Sequence, residues 1–230
     1  MTHPEPEEIV IPISGARSVS GLLQVPARAA VCFVLAHGAG AGMRHPFMAA
    51  VAAGLAAREI ATLHSQFPSM ETGSRRPDSP RLAIATVRAA VAKAAQLVPE
   101  LPLIAGGKSF GGRMTSQAQA EMPLPGVHGL AFLGFPLHPA RTPSTARAEH
   151  LAAITVPMLF LQGERDQLAG RHLIEQLVQD LGHRATLHLF PETDHSFHVS
   201  ARGGRTNDQV MGAVLDILAG WIAALGQRSA

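Results

Sequence analysis

The stretch from Leu103 to Arg113 places the tightest constraint on how this chain can fold. It starts with an apolar run that is typical of a buried strand, and it continues through Gly-Lys-Ser-Phe-Gly, a match to G-x-S-x-G centred on Ser109. A helical pattern follows from about Phe110. A strand, a sharp turn and a helix in this order distinguish a nucleophile elbow from a chance match to the motif.

Three glycines around Ser109 explain how so sharp a turn can fit. Gly107, Gly111 and Gly112 leave room where side chains would collide. The turn lifts the Ser109 hydroxyl to the N-terminus of the helix, where unpaired N–H groups and the helix dipole favour developing negative charge. A glycine-rich turn with an ordinary surface serine is the alternative that the motif alone leaves open, because short motifs also match by chance.

Apolar runs and helical patterns alternate along the chain. The apolar runs predict strands at Ile9–Ile13, Val19–Val25, Val31–Ala36, Ile60–His64, from Leu103, at Gly129–Phe135, Met158–Gln162 and Ala185–Phe190. Helical spacing predicts helices at Phe47–Arg58, Arg81–Val98, Phe110–Glu121, Leu168–Leu181 and Thr206–Leu225. The first two of these strands are predicted to pair antiparallel at the start of the sheet. The alternation predicts an α/β fold, a mainly parallel sheet with helices on both faces and no large lid domain.

Length and composition favour a single domain over residues 1–230. Apolar residues make up 47%, the formal net charge is +2, and no run of Lys and Arg suggests a nucleic-acid surface. The Pro-rich N-terminus has no signal-peptide pattern, and no uninterrupted apolar stretch has the length of a membrane span. A cytoplasmic protein without membrane or nucleic-acid partners is expected. The single cysteine, Cys32, lies in an apolar run and is predicted to be a buried structural thiol.

Ser109, Asp166 and His195 each follow a predicted strand. A serine hydroxyl is a weak nucleophile that needs a base, and the base needs an acid to hold its tautomer. Because the carboxyl ends of parallel strands meet at one edge, these residues are expected to meet as nucleophile, acid and base. Asp194 ranks well below Asp166, because neighbouring side chains such as those of Asp194 and His195 diverge. An acid in the position of Asp166 is otherwise an ordinary helix cap.

Other polar residues near this edge have plainer interpretations. His37 and His138 lie on loops and are interpreted as structural. Lys108 is predicted to be a solvated cation, with tuning of the nucleophile as the alternative. The glycine-rich loop Gly38–Gly42 follows a strand, so its N–H groups are candidates for facing a ligand. It lacks the ending of a phosphate loop. The remaining histidines near the last strand lack the spacing of metal ligands and are expected at the surface or in packing: His183, His188 and His198.

Several segments carry a family resemblance: His37-Gly38-Ala39-Gly40, His45-Pro46-Phe47-Met48, Gly107–Arg113, Gly134–Pro139 and Asp194-His195-Ser196-Phe197. In these segments the chain resembles the α/β-hydrolase superfamily, and it most resembles the small, lidless, dienelactone-hydrolase-like members. It is closer still to the bacterial branch of a group that also contains a testis-expressed hydrolase-like protein and a chromatin-complex subunit.

The resemblance implies Ser109 as nucleophile, Asp166 as acid and His195 as base. It also implies an oxyanion hole made by backbone N–H groups of Phe110 and of the Ala39–Gly40 turn. Dienelactone hydrolase itself uses a cysteine where this chain has Ser109. The substrate of dienelactone hydrolase therefore does not carry over.

The expected function is a serine hydrolase for a small ester or thioester, with no cofactor and no metal. The alternative is a non-catalytic interaction protein on the same fold, since the group includes a chromatin-complex subunit. Short inserts predict a shallow pocket. Arg75 and Arg76, on the loop after Ile60–His64, are candidates for contacting an anionic substrate group, with solvated loop charges as the alternative. The natural substrate and the oligomeric state stay open.

Overall fold

The computed structural model describes residues 4–15, 17–74, 76–199 and 204–228. Its strands are β1 Glu7–Ser14, β2 Arg17–Gln24, β3 Cys32–Ala36, β4 Ala61–Ser65, β5 Leu103–Lys108, β6 Val127–Leu133, β7 Met158–Gly163 and β8 Ala185–Phe190. Its α-helices are α1 Pro46–Ala56, α2 Pro68–Glu71, α3 Pro80–Leu97, α4 Phe110–Glu121, α5 Arg171–Leu181 and α6 Asn207–Arg228. Two 3₁₀ helices lie at Ala146–Ala153 and Gly182–Arg184.

The strands form one sheet in the order β1-β2-β4-β3-β5-β6-β7-β8. β1 pairs antiparallel with β2, and β2 pairs antiparallel with β4. The strands from β3 to β8 run parallel to their neighbours. The predicted antiparallel start and mainly parallel sheet are therefore confirmed. The parallel strands bring their carboxyl ends to one edge, which is where ligands bind in open α/β sheets.

Alternate residues of β3 show how the sheet separates two apolar clusters. Cys32, Val34 and Ala36 belong to the cluster that is covered by α3, α4 and α5. Phe33 and Leu35 belong to the cluster that is covered by α1 and α6. Side chains of a strand alternate between faces, so a strand buried on both faces reads as a continuous apolar run. The fold is that of an α/β protein with helices on both faces of the sheet.

Most element boundaries lie within three residues of the predictions, and three differences have a visible cause. Helix α5 begins at Arg171 rather than Leu168, because the Asp166 carboxylate accepts the Leu168 N–H at 2.8 Å and holds a turn after β7. Strand β6 ends at Leu133, because Gly134 follows with a φ of +73° that takes the chain out of the sheet. Helix α2 lies within the loop predicted to follow Ile60–His64, and it begins with a proline, which the first turn of a helix accepts.

Cys32 is fully buried, as predicted. Burial raises the pKa of its thiol to about 12, against the smaller opposite effect of a backbone hydrogen bond at Leu63. The thiol therefore stays protonated at neutral pH, and Cys32 packs as a small apolar side chain.

Among the described residues, α6 is the one helix that is long and apolar enough to cross a membrane, from Asn207 to Gly226. Its Val210, Val214 and Leu218 are almost fully buried in the cluster shared with α1. A core helix of a globular protein has this composition as well. The absence of membrane partners and the cytoplasmic location stay predictions.

Candidate active site

Ser109 stands at the turn between β5 and α4 with a φ of +51° and a ψ of −113°. A positive φ is rare outside glycine and marks a backbone that the surrounding structure has to hold. Neighbouring glycines make this possible: a Cβ at Gly107 or Gly111 would lie 2.3 or 2.4 Å from the Ala36 carbonyl oxygen. The end of β3 therefore lies closer to β5 and α4 than side chains at Gly107 and Gly111 would allow. This close packing holds Ser109 at the edge of the sheet.

Hydrogen bonds connect Ser109, His195 and Asp166 in one path. His195 Nε2 is 2.9 Å from Ser109 Oγ, and His195 Nδ1 is 2.6 Å from Asp166 Oδ2. Asp166 follows β7 and His195 lies in the loop after β8. The Asp166 side chain is 0% exposed, whereas that of His195 is 22% exposed. The buried carboxylate accepts the Nδ1 proton, which leaves Nε2 free to accept a proton from Ser109.

Gln162 supports the Asp166 carboxylate and was not recognised in the sequence. Its Nε2 donates to Asp166 Oδ2, and its Oε1 accepts the Phe135 N–H at 2.8 Å. The Leu168 N–H donates to the other carboxylate oxygen. Buried polar groups need such partners. The signal was a glutamine at the end of an otherwise apolar run, four residues before the predicted acid.

The Asp194 side chain turns away from the His195 ring. Its Oδ1 accepts the N–H groups of Ser196 at 2.8 Å and His198 at 2.9 Å. These contacts close a tight loop in which His195 is the second residue. Asp194 therefore shapes the backbone that carries the histidine, while Asp166 contacts its ring.

The predicted oxyanion donors lie on two segments beside Ser109. The Ala41 N–H donates to the Gly38 carbonyl at 3.2 Å, so Ala39 and Gly40 are the exposed central residues of a turn. A Cβ at Gly38 would be 3.8 Å from Ser109 Cβ, which places this turn against the elbow. Phe110 is the first residue of α4, where backbone N–H groups have no partner within the helix. The role of these N–H groups stays a prediction.

His37 and His138 are tied to backbone groups. His37 Nε2 accepts the Phe67 N–H at 3.0 Å, and its Nδ1 donates to the Gly38 carbonyl at 2.7 Å. His138 makes the equivalent pair of bonds with Gly170 N–H and the Pro139 carbonyl. Burial lowers the pKa of His37. These contacts agree with the interpretation of both as structural residues.

The prediction of Lys108 as a solvated cation is wrong. Lys108 is only 8% exposed, and its Nζ donates to the backbone carbonyl of His195. The Nζ atom lies 5.6 Å from the ring centroid of Phe47 and 5.7 Å from that of Phe197. Lys108 ends β5, which lies inside the sheet, and rings from α1 and from the loop after β8 cover its ammonium group.

Only one of the two arginines predicted as anion contacts lies among the described residues. Arg75 lies outside the described residues. Arg76 is exposed and lines a cavity of about 400 Å³ together with Glu71 and Asp78. Ser109, Asp166 and His195 are not among the described residues that line this cavity. An anion contact by Arg75 or Arg76 stays a prediction.

A cavity of about 420 Å³ lies at the opposite end of the sheet. Its lining includes Val31, Ile60 and Pro102, which precede parallel strands, and Ile222 of α6. This cavity is separated from Ser109 by the length of the strands, so it does not serve the candidate active site.

Comparison with known proteins identifies the family. The sequence profile of the alpha/beta-hydrolase domain matches residues 29–223. A serine hydrolase without a lid, XC6422 from Xanthomonas campestris, is 19% identical, with 94% of this chain and 95% of that chain covered and a TM-score of 0.73. A dienelactone hydrolase from Anabaena variabilis is 20% identical, with 96% and 99% covered and a TM-score of 0.74.

Est1E from Butyrivibrio proteoclasticus, solved with bound ferulic acid, is 16% identical, with 94% of this chain and 99% of that chain covered and a TM-score of 0.74. At these identities the solved structures establish the fold, and the domain profile establishes the family. The chain belongs to the alpha/beta-hydrolase family, and its fold is that of the small, lidless, dienelactone-hydrolase-like members.

Proposed function

We propose that the protein is a serine hydrolase that cleaves a small ester or thioester through an acyl-enzyme on Ser109. The observation that carries the proposal is the hydrogen-bonded path from Ser109 Oγ through His195 to the buried Asp166 carboxylate, which starts at a serine in a strained turn. The family supports a hydrolase. The solved relatives that are called dienelactone hydrolase and Est1E with ferulic acid agree with an ester class of substrate.

In the acylation step, Ser109 Oγ attacks the acyl carbon while His195 Nε2 takes the hydroxyl proton. Asp166 holds the ring in the tautomer that makes Nε2 the acceptor, and it stabilises the imidazolium that forms. The imidazolium then gives its proton to the leaving alcohol or thiol. Water activated by His195 releases the acid in the second half of the reaction.

Charge that develops on the acyl oxygen needs donors that are already in place. The Phe110 N–H at the start of α4 and the N–H groups of the Ala39–Gly40 turn are the proposed donors. Removing one such donor typically costs about 3 kcal/mol of transition-state stabilisation. The positive end of α4 adds to their effect.

Labelling with a fluorophosphonate probe tests the proposal directly. The wild-type protein is expected to take one probe on Ser109, identified by peptide mass spectrometry, and to turn over part of a panel of acyl esters and thioesters. Ser196→Ala is a matched control, because Ser196 is next to His195 and its side chain lies outside the proposed path. A folded protein that takes no label and turns over nothing in the panel would favour the interaction protein.

A shallow pocket predicts no gain from longer acyl chains. The described connections at the active-site edge form no separate lid domain, so a long alkyl chain would stay largely in water. Each buried CH₂ contributes about 0.8 kcal/mol, and that gain is missing without burial. We expect kcat/KM to stay level or fall across p-nitrophenyl esters from acetate to long chains. A steady rise with chain length would refute the shallow pocket.

Anionic esters test Arg75 and Arg76. If either guanidinium pairs with a substrate carboxylate, Arg75→Ala or Arg76→Ala lowers kcat/KM about 10-fold on carboxylate-bearing esters, as expected for a partly exposed charge-assisted bond. Neutral esters of equal size serve as the control and should be unaffected. Equal losses on both kinds of ester would refute the anion contact.

A further inference from the structure

Two successive residues of β5 and its turn contact opposite parts of His195. Ser109 Oγ is 2.9 Å from the ring nitrogen Nε2, and Lys108 Nζ donates to the backbone carbonyl of the same histidine. The ring is thus held at its reacting atom and the main chain is held behind it. Since β5 is a central strand of the sheet, both contacts start from a rigid element.

The space around Lys108 Nζ is apolar and tightly filled. The rings of Phe47 and Phe197 flank the ammonium group. At Gly134, a Cβ would be 2.8 Å from Nζ, 3.1 Å from the His195 carbonyl oxygen and 3.3 Å from His195 Cε1. A side chain at position 134 would therefore displace Nζ and crowd the His195 carbonyl.

We propose that Lys108 is a positioning residue that fixes the His195 main chain and thereby aims its ring at Ser109. The proposal rests on the proposed function and goes beyond it by adding a residue to the machinery. A buried ammonium group is costly, and a methionine would fill the same space without charge. The cost of burying the Lys108 ammonium is explained if the ammonium holds the loop that carries His195, the proposed base.

The charges that face Lys108 come from two loops. Against the larger effect of burial, Asp166 after β7 and Asp194 after β8 favour its charged form. Helix α1 contributes the Phe47 ring, and the end of β6 contributes Gly134, neither of which carries a charge. Burial is the larger effect and lowers the pKa of Lys108 to about 8.

Lys108→Met tests the kinetic role, with Lys93→Met on α3 as the matched control. The chain has only these two lysines. We expect Lys108→Met to lower kcat about 100-fold, the cost of a misplacement near 1 Å, with KM little changed. In the wild type, kcat should fall above about pH 8 as Lys108 loses its proton, and this fall should be absent in Lys108→Met. Lys93→Met should leave both unchanged.

Labelling both lysines with ¹³C at Cε reports on the contact without any turnover. Two signals are expected, and the one that is absent in Lys108→Met is expected to titrate near pH 8. This measurement separates the inference from the proposed function, because it holds even if Ser109 takes no fluorophosphonate. A Lys108 signal that titrates near pH 10.5, the ordinary value, would overturn the buried contact.

Thermal stability gives a second readout that is independent of activity. The folded protein holds the Lys108 proton less tightly than the unfolded chain does. Burial of the charged Lys108 therefore lowers the free energy of unfolding below pH 8, and this loss disappears between about pH 8 and 10.5. The Tm of Lys108→Met relative to the wild type should therefore be highest below pH 8 and decline as the pH rises. A difference that does not vary with pH would count against the proposal.

Gly134→Ala keeps the charge and disturbs the contact, so it covers the case in which Lys108→Met fails to fold. The added methyl group would press on Nζ, on the His195 carbonyl and on the His195 ring, and the φ of +73° at Gly134 strains any side chain there. We expect a loss of kcat like that of Lys108→Met. Wild-type kcat in both variants, or in Gly134→Ala alone where Lys108→Met does not fold, would overturn the positioning role.

Discussion

Ser109→Ala is expected to lower kcat by up to about 10⁶-fold, as far as the background reaction allows the loss to be measured. The variant has no Oγ to attack the acyl carbon, so no acyl-enzyme forms and His195 has no hydroxyl proton to accept. A residual rate of about 10³- to 10⁴-fold over water would remain from binding and from the oxyanion donors. Steady-state kinetics on an activated ester, with circular dichroism to verify the fold, measure the effect.

A glycine at the same position separates chemistry from backbone strain. Ser109 has a φ of +51°, a value that glycine adopts at little cost and alanine does not. Ser109→Gly and Ser109→Ala should therefore be equally inactive, but the glycine variant should be more stable by about 1 kcal/mol or more. Stoichiometric fluorophosphonate labelling of either variant would show that another residue is the nucleophile.

The elbow and the order of Ser109, Asp166 and His195 were predictable because the signals are local. Each of the three residues follows an apolar run that forms a strand, and parallel strands bring such positions to one edge. The motif around Ser109 also shows why the turn can form, because its glycines lie where the backbones of neighbouring elements come close together. No knowledge of distant contacts was needed for these predictions.

The burial and the contacts of Lys108 and Gln162 could not be predicted from local signals. Whether a polar side chain at the end of a strand is solvated depends on the elements that cover the strand, and here rings from α1 and from the loop after β8 enclose Lys108. The start of α5 has a similar cause. Periodicity continued back to Leu168, but the Asp166 carboxylate captured the Leu168 N–H for a turn.

Asp166→Asn is expected to lower kcat about 10⁴-fold. The amide would present N–H to His195 Nδ1, where the carboxylate now accepts at 2.6 Å. The ring would then carry its proton on Nε2, facing Ser109, and could not accept the hydroxyl proton. The new side chain would also leave the imidazolium of the transition state without a negative partner. A loss of this size corresponds to about 5.5 kcal/mol of transition-state stabilisation.

Asp194→Asn is the matched control, because it makes the same change in charge one residue from the histidine. The Asp194 Oδ1 accepts two backbone N–H groups, and an asparagine Oδ1 accepts them equally well. The loop should therefore keep its shape, and we expect a loss below about 10-fold, the scale of one exposed charge. Kinetics of both variants on one ester, at the pH optimum of the wild type, decide the assignment. A larger loss in Asp194→Asn than in Asp166→Asn would mean that the loop acid orients His195 during turnover, against the geometry of the resting site.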